Sequence, residues 1–220
     1  MEQYYLYIML SRTNTGIARL IRFFTKTKYN HVSLSLDERF QNFVSFARYN
    51  QDVALAGGYV TEPADRILHS GEQIPVKIFR VEIGKSKHAQ LQSLFMQAGN
   101  RDSGLIYNTL GAIFTILHLR LRINGAYTCL EFANTILGLE CTTLQQLEKA
   151  LTPYLIYDGR LRDLLPELDE SNDKYFNRRG FLKGFGDTTV HMTRLLGRAL
   201  HITHCKDPIA DFANQLYSET

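Results

Sequence analysis

Tyr127-Thr128-Cys129-Leu130-Glu131-Phe132-Ala133-Asn134-Thr135-Ile136-Leu137 is the stretch from which the rest of the chain can be read. Its spacing predicts an amphipathic helix, with Thr128 as the N-cap and Cys129 in the first turn. Asn124-Gly125-Ala126 forms the loop that leads in. Unpaired N–H groups at a helix start favour negative charge, so a cysteine there ionises more readily and becomes a better nucleophile. A thiolate also needs a base. His31 lies far upstream, in Tyr29-Asn30-His31-Val32-Ser33-Leu34-Ser35-Leu36, and opens an alternating segment that reads as a strand. Cysteine on a helix start with histidine on a strand is the pairing that thiol catalysis uses. The plain alternatives are a small buried core residue for Cys129 and a strand histidine bonded to a nearby loop for His31.

Working outward, Tyr4 to Leu10 is rich in aromatic and apolar residues and reads as a first strand, not as a secretion signal. Ile17, Leu20, Ile21 and Phe24 recur at helical spacing. Asp37-Glu38-Arg39 looks like a turn joining the His31 strand to a partner from Asn42 to Phe46. Gly57-Gly58 interrupts the chain before Tyr59-Val60-Thr61-Glu62-Pro63. Val76 to Ile83 reads as strand and Ser86 to Asn100 as helix. Further helices are predicted from Asn108 to His118, from Thr142 or Thr143 to Ala150, and from Asp158 to Leu165. An acidic, turn-rich stretch from Leu165 to Asp173 marks a soft boundary. Beyond it, Thr188 to Leu200 and Pro208 to Tyr217 read as helices.

Composition bounds the function. The chain has 220 residues, 45% hydrophobic and 21% charged, which suits one substantial core. A net charge of +3 is too small to imply nucleic acid, and no aromatic-interleaved basic groove appears. Three cysteines, Cys129, Cys141 and Cys205, are too few and too odd for a disulfide framework, so a reducing, cytoplasmic setting is expected. His191, His201, His204 and Cys205 lack a second paired motif that would complete a metal site, and no metal or cofactor is expected.

The order of parts resembles the circularly permuted NlpC-type, papain-like cysteine hydrolases, including the YiiX-like group and, more remotely, the lecithin–retinol acyltransferases. The resemblance rests on a first strand, a helix ending Leu20-Ile21-Arg22-Phe23-Phe24-Thr25-Lys26, the strand His31-Val32-Ser33-Leu34, and Cys129-Leu130-Glu131-Phe132 about a hundred residues later. Histidine precedes cysteine, as in the permuted group. The resemblance implies an α+β class and a permuted papain-like fold, with a small antiparallel sheet packed on helices. Residues 1–164 would form the catalytic domain; 165–220, outside the resemblance, read as a helical C-terminal extension, either packed on the same core or apart from it. It implies Cys129 as nucleophile, His31 as base and a third residue that orients the imidazole. Glu62 resembles the glutamate of YiiX-like members; Ser45 and Gln41, on the partner strand, are rivals for the polar positions of the site. The second histidine of the acyltransferase branch is missing between Asn42 and Phe46, which counts against lipid acyl transfer.

Tyr127, two residues before the thiol, is a candidate oxyanion donor, against simple packing at the helix entrance. Val190, Leu195, Leu196 and Leu200 form an apolar stripe in a basic region with Arg178, Arg179, Lys183, Arg194, Arg198 and Lys206 against Asp187. Such a helix either docks on its own domain or lies on a membrane or partner protein. The expected function is a cysteine-dependent hydrolase or acyltransferase acting on a peptide-like or acylated small molecule. The alternative is a non-catalytic binding module that keeps the fold.

Overall fold

The computed structural model describes residues 3–12, 27–53, 55–67, 73–100, 103–116, 121–167, 174–178 and 180–218. The helix expected around Ile17 to Phe24, and residues 168–173 of the expected boundary, lie outside the described residues. The strands are β1 (Tyr4–Ser11), β2 (His31–Ser35), β3 (Asn42–Arg48), β4 (Gly57–Pro63), β5 (Pro75–Ile83), β6 (Ile106–Tyr107), β7 (Ala126–Tyr127) and β8 (Leu155–Arg160). The helices are α1 (Ala64–Ile67), α2 (Lys85–Ala98), α3 (Thr109–Ile116), α4 (Cys129–Leu137), α5 (Leu144–Leu151), α6 (Leu161–Leu164), α7 (Phe181–Ala199) and α8 (Pro208–Ser218). The class is therefore mixed α+β.

β1 decides the architecture because both its faces are apolar, which suits a strand covered on both sides. Leu6, Ile8 and Leu10 enter one core with Val32, Leu34, Phe46 and the α4 residues Phe132, Ala133 and Ile136. Tyr7 and Met9 enter a second with Phe43, Ile74, Val76, Ile78 and Leu161. Eight strands form one sheet in the order β7-β6-β4-β3-β2-β1-β5-β8. All neighbours are antiparallel except the short β6–β7 pair. The sheet is thus larger than the small one expected, because two-residue strands and an edge strand extend it.

Gly57 and Gly58 do not break the chain; they open β4, and a Cβ at either would collide with Ala47 or with Tyr49 and Leu105. Close approach, not a turn, requires glycine there. The expected helix from Asp158 to Leu165 is instead the end of β8 followed by α6. Pairing of Lys77 with Asp158 and Val76 with Gly159 overrides local preference. α7 begins at Phe181, seven residues before the expected start at Thr188.

The C-terminal helices are tied to the rest of the chain. Ile209 and Phe212 of α8 are buried in the main core. Asp207 caps α8 through the N–H groups of Ile209 and Ala210. Its other carboxylate oxygen accepts from Gly125 N–H at 2.9 Å and from the Tyr127 hydroxyl at 2.8 Å. Arg198 of α7 is buried and donates to the carbonyls of Gly125 and Gly104 at 2.8 and 2.7 Å. Both glycines hold positive φ, 64° and 67°, where other residues are strained. No described helix is long and apolar enough to cross a membrane.

Replacing Asp207 with alanine leaves the buried Gly125 N–H and Tyr127 hydroxyl without their acceptor and removes a helix cap. The expected loss is roughly 2–4 kcal/mol, read as a lower urea midpoint with an unchanged slope.

Candidate active site

α4 presents Cys129 through its capping. The Thr128 hydroxyl accepts from Glu131 N–H at 3.1 Å, and the Glu131 carboxylate accepts from Thr128 N–H at 2.7 Å. This reciprocal capping box fixes where the helix begins. Gly138, at φ 70°, ends it, with Leu139 N–H bonded to the Asn134 carbonyl. Between those ends Phe132, Ala133 and Ile136 are wholly buried, and Phe132 meets the rings of Phe46, Tyr59 and Phe95. The first helical residue is therefore held to one place. The residue retains 8% exposure.

His31 opens β2 opposite Ser11 of β1. Its Nε2 lies 2.7 Å from Glu62 Oε2, so the bond reaches over β3 from β2 to β4. The Cys129 thiol also acts on the imidazole and raises its pKa, so sulfur and ring are neighbours. With Nε2 engaged by Glu62, Nδ1 is the nitrogen left for the sulfur. Sulfur, imidazole and carboxylate thus meet, although their residues stand at positions 129, 31 and 62.

The electrostatics follow from burial and neighbours. Burial alone would lower the His31 pKa, but the Glu62 charge, the Cys129 thiol and the bond with Glu62 outweigh it and push the value up to about 10. Burial would raise the Glu62 carboxyl, yet the His31 charge and bond, helped by Arg66, hold it below its usual range. The surroundings therefore favour an imidazolium facing a carboxylate.

A second layer, unseen in the sequence, surrounds this pair. Arg66 of α1 places Nε 4.0 Å from Glu62 Oε1, and its Nη2 donates to the Arg48 carbonyl at 2.8 Å. Its guanidinium lies 4.7 Å from the Tyr175 ring centroid. Arg48 donates to the Tyr175 hydroxyl at 2.8 Å. The segment carrying Tyr175 is strapped across residues 50 and 51. Gln51 N–H donates to the Tyr175 carbonyl, Gln51 Nε2 to Phe176 O, and Asn50 Nδ2 to Asn177 O. Tyr107 of β6 also neighbours the thiol: burial raises its pKa, and the charges of Cys129 and Glu131 add to that. Sequence periodicity carries no signal for these residues, since each reaches the site through long-range packing.

The other sequence candidates fall elsewhere. Ser45 is wholly buried and donates to the Val32 carbonyl at 2.7 Å, stitching β3 to β2. Gln41 is exposed at a turn; its backbone N–H donates to Asp37 Oδ2 and its carbonyl accepts from Ala64. The Tyr127 hydroxyl proton is committed to Asp207, and burial, with the Asp207 charge, holds the phenol in its neutral form. Cys141 and Cys205 are half-buried, and burial raises the Cys205 thiol. His191 is buried against Thr109 at 3.2 Å, whereas His201 and His204 are exposed. Among the described residues no group of three ligating side chains could hold a metal ion.

A cavity of about 420 Å³ lies on the other side of Thr128, among Leu121, Glu131, Asn134, Cys141 and Asn214. Cys129, His31 and Glu62 do not line it. Its polar groups Glu131, Asn134 and Asp207 already bond within the protein. No family model, no curated protein and no solved structure matches this chain.

The charged pair sets a pH dependence of stability. The His31 pKa is raised on folding, so its contribution is complete below about 6.5 and lost as pH climbs toward about 10. The Glu62 pKa is depressed, so its contribution is lost only in acid. Urea titrations of wild type should therefore show declining stability from pH 6 to 10. Glu62→Gln should flatten that decline and lower stability at pH 6.

Proposed function

We propose that this protein is a cysteine-dependent hydrolase or acyltransferase with a permuted papain-like arrangement, acting on a peptide-like amide or an acylated small molecule. One observation carries the reading: His31 holds Glu62 through Nε2 at 2.7 Å, while the Cys129 side chain acts on the same imidazole. A nucleophile, a base and a group that orients the base are the three parts such chemistry requires. The chain order also supports it, with the histidine strand preceding the cysteine helix and an antiparallel sheet between.

In this mechanism His31 Nδ1 holds the thiol proton while Cys129 Sγ attacks the carbonyl carbon. The carbonyl oxygen gains negative charge opposite the helix start. The Cys129 N–H, one of the first-turn donors without a partner inside the helix, takes the oxyanion role instead of Tyr127. Collapse breaks the C–N, C–O or C–S bond, and the imidazolium gives its proton to the leaving group. Water or a second acceptor then loses a proton to His31 and attacks the thioester, restoring the thiol. Glu62 keeps the imidazole in one tautomer and orientation throughout. Side chains and backbone supply every step.

A second reading draws on the 8% exposure of Cys129 and on the separate 420 Å³ cavity. A protein with a narrow thiol site and a roomier cavity nearby could bind a ligand without turning it over.

Iodoacetamide labelling separates the two. Cys141 and Cys205 are both more exposed than Cys129, so access alone would label them first. The enzyme reading expects Cys129 to react at least tenfold faster than either at pH 7, and His31→Ala to abolish that advantage. Labelling of Cys129 that is slowest of the three, and unchanged by His31→Ala, would support the binding module.

A further inference from the structure

α7 carries apolar side chains on two sides, and docking on its own domain accounts for one of them. The face packed on the protein carries His191, Leu195 and Arg198, with Met192 and Ala199 partly buried beside Leu195. The outward ridge runs through Leu182, Phe185, Thr189, Thr193, Leu196 and Leu200, at spacings of three and four. Leu182 is 84% exposed and Phe185 65%, and the ridge continues past the helix end to Ile202 at 73%. Solvent-exposed apolar ridges of this extent mark contact surfaces. The stripe that sequence spacing suggested is therefore split: Leu195 turns inward, while Leu182 and Phe185 join the outer ridge.

We infer that this ridge seats the protein on an anionic bilayer surface, with α7 lying in the plane of the interface. Charge decides the occupant. Lys183 and Arg194 stand exposed on the same helix, and Lys206 is exposed just beyond it. Asp187 is the one acidic residue in α7. A second copy laid on this face would bring like charges together, whereas lipid phosphates complement them. The two central threonines and Gly186 keep the ridge low in its middle. Leu182 and Phe185 at one end, with Leu200 and Ile202 at the other, stand as the wedges. This assignment is independent of the chemistry proposed for Cys129.

The chain contains no tryptophan, so Phe185→Trp places a single fluorophore on the ridge. Met96→Trp, exposed on α2, serves as the off-ridge reporter. With vesicles of equal parts phosphatidylglycerol and phosphatidylcholine, Phe185→Trp emission should shift to the blue, and the Met96→Trp signal should stay put. Pure phosphatidylcholine vesicles should bind at least tenfold more weakly. Leu182→Glu, or Lys183→Glu with Arg194→Glu, should weaken cosedimentation with the anionic vesicles at least tenfold. An unshifted Phe185→Trp spectrum on anionic vesicles overturns the proposal. So does equal binding to neutral vesicles. A blue shift in buffer alone, with a doubled mass in light scattering, also overturns it and assigns the ridge to a second copy.

Discussion

A largely buried imidazole bonded to a buried carboxylate is the constraint around which this structure is arranged. Removing either group from water costs several kcal/mol, and the pair is tolerable only with good geometry and further partners. The 2.7 Å contact supplies the geometry, and Arg66 supplies the additional charge beside Glu62. Arg66 in turn is held by the Arg48 carbonyl and stacked on Tyr175. Polar groups so placed demand that β2 and β4 keep one register around β3. Ser45, bonded to Val32 between them, serves that register without touching the imidazole.

The C-terminal residues secure the site at two separate points. At one, Tyr175 covers the arginines behind Glu62 through the strap over residues 50 and 51. At the other, Arg198 and Asp207 grip the two left-handed glycines whose loops lead to Tyr107 and Cys129. Each point uses hydrogen bonds at least partly shielded from water, so release of the tail would leave several groups without their protein partners at once. The extension therefore belongs to the same physical unit as the thiol's surroundings. A helix cap places Cys129, but the approach to that cap is fixed from eighty residues downstream.

What the sequence made legible was what local rules govern. β1, the β2–β3 hairpin, β5, α2 and α4 show their periods within a few residues, and Thr128 before Cys129 announces a helix start. Residue types and order name Cys129 and His31, and the family resemblance names Glu62, with Ser45 and Gln41 as rivals; only the fold shows that Glu62 bonds the imidazole while Ser45 bonds the Val32 carbonyl. β6 and β7 are too short to show any period, and they exist because the Gly104 and Gly125 turns bring them side by side. The last three residues of β8, Asp158-Gly159-Arg160, read as helix because they have no strand signature of their own; β5 imposes it. The early start of α7 was hidden by Gly184 and Gly186, each worth about 1 kcal/mol against helix. Tyr175 and Arg66 left no local trace.

α7 pairs an inward apolar contact through Leu195, Met192 and Ala199 with inward polar anchors. A polar side chain can face inward when every polar atom there is matched, and Arg198 meets that condition with two carbonyls while His191 meets Thr109. Those inward bonds fix the helix rotation, because the guanidinium must reach both glycine loops. Once the rotation is fixed, Leu182, Phe185, Leu196 and Leu200 have no choice but to face out. An ordinary surface would carry charged or small residues at those positions at no cost to the inner contacts. Their apolar character is therefore not explained by the fold's own packing, and the physical reason for it must lie in what the outer face meets.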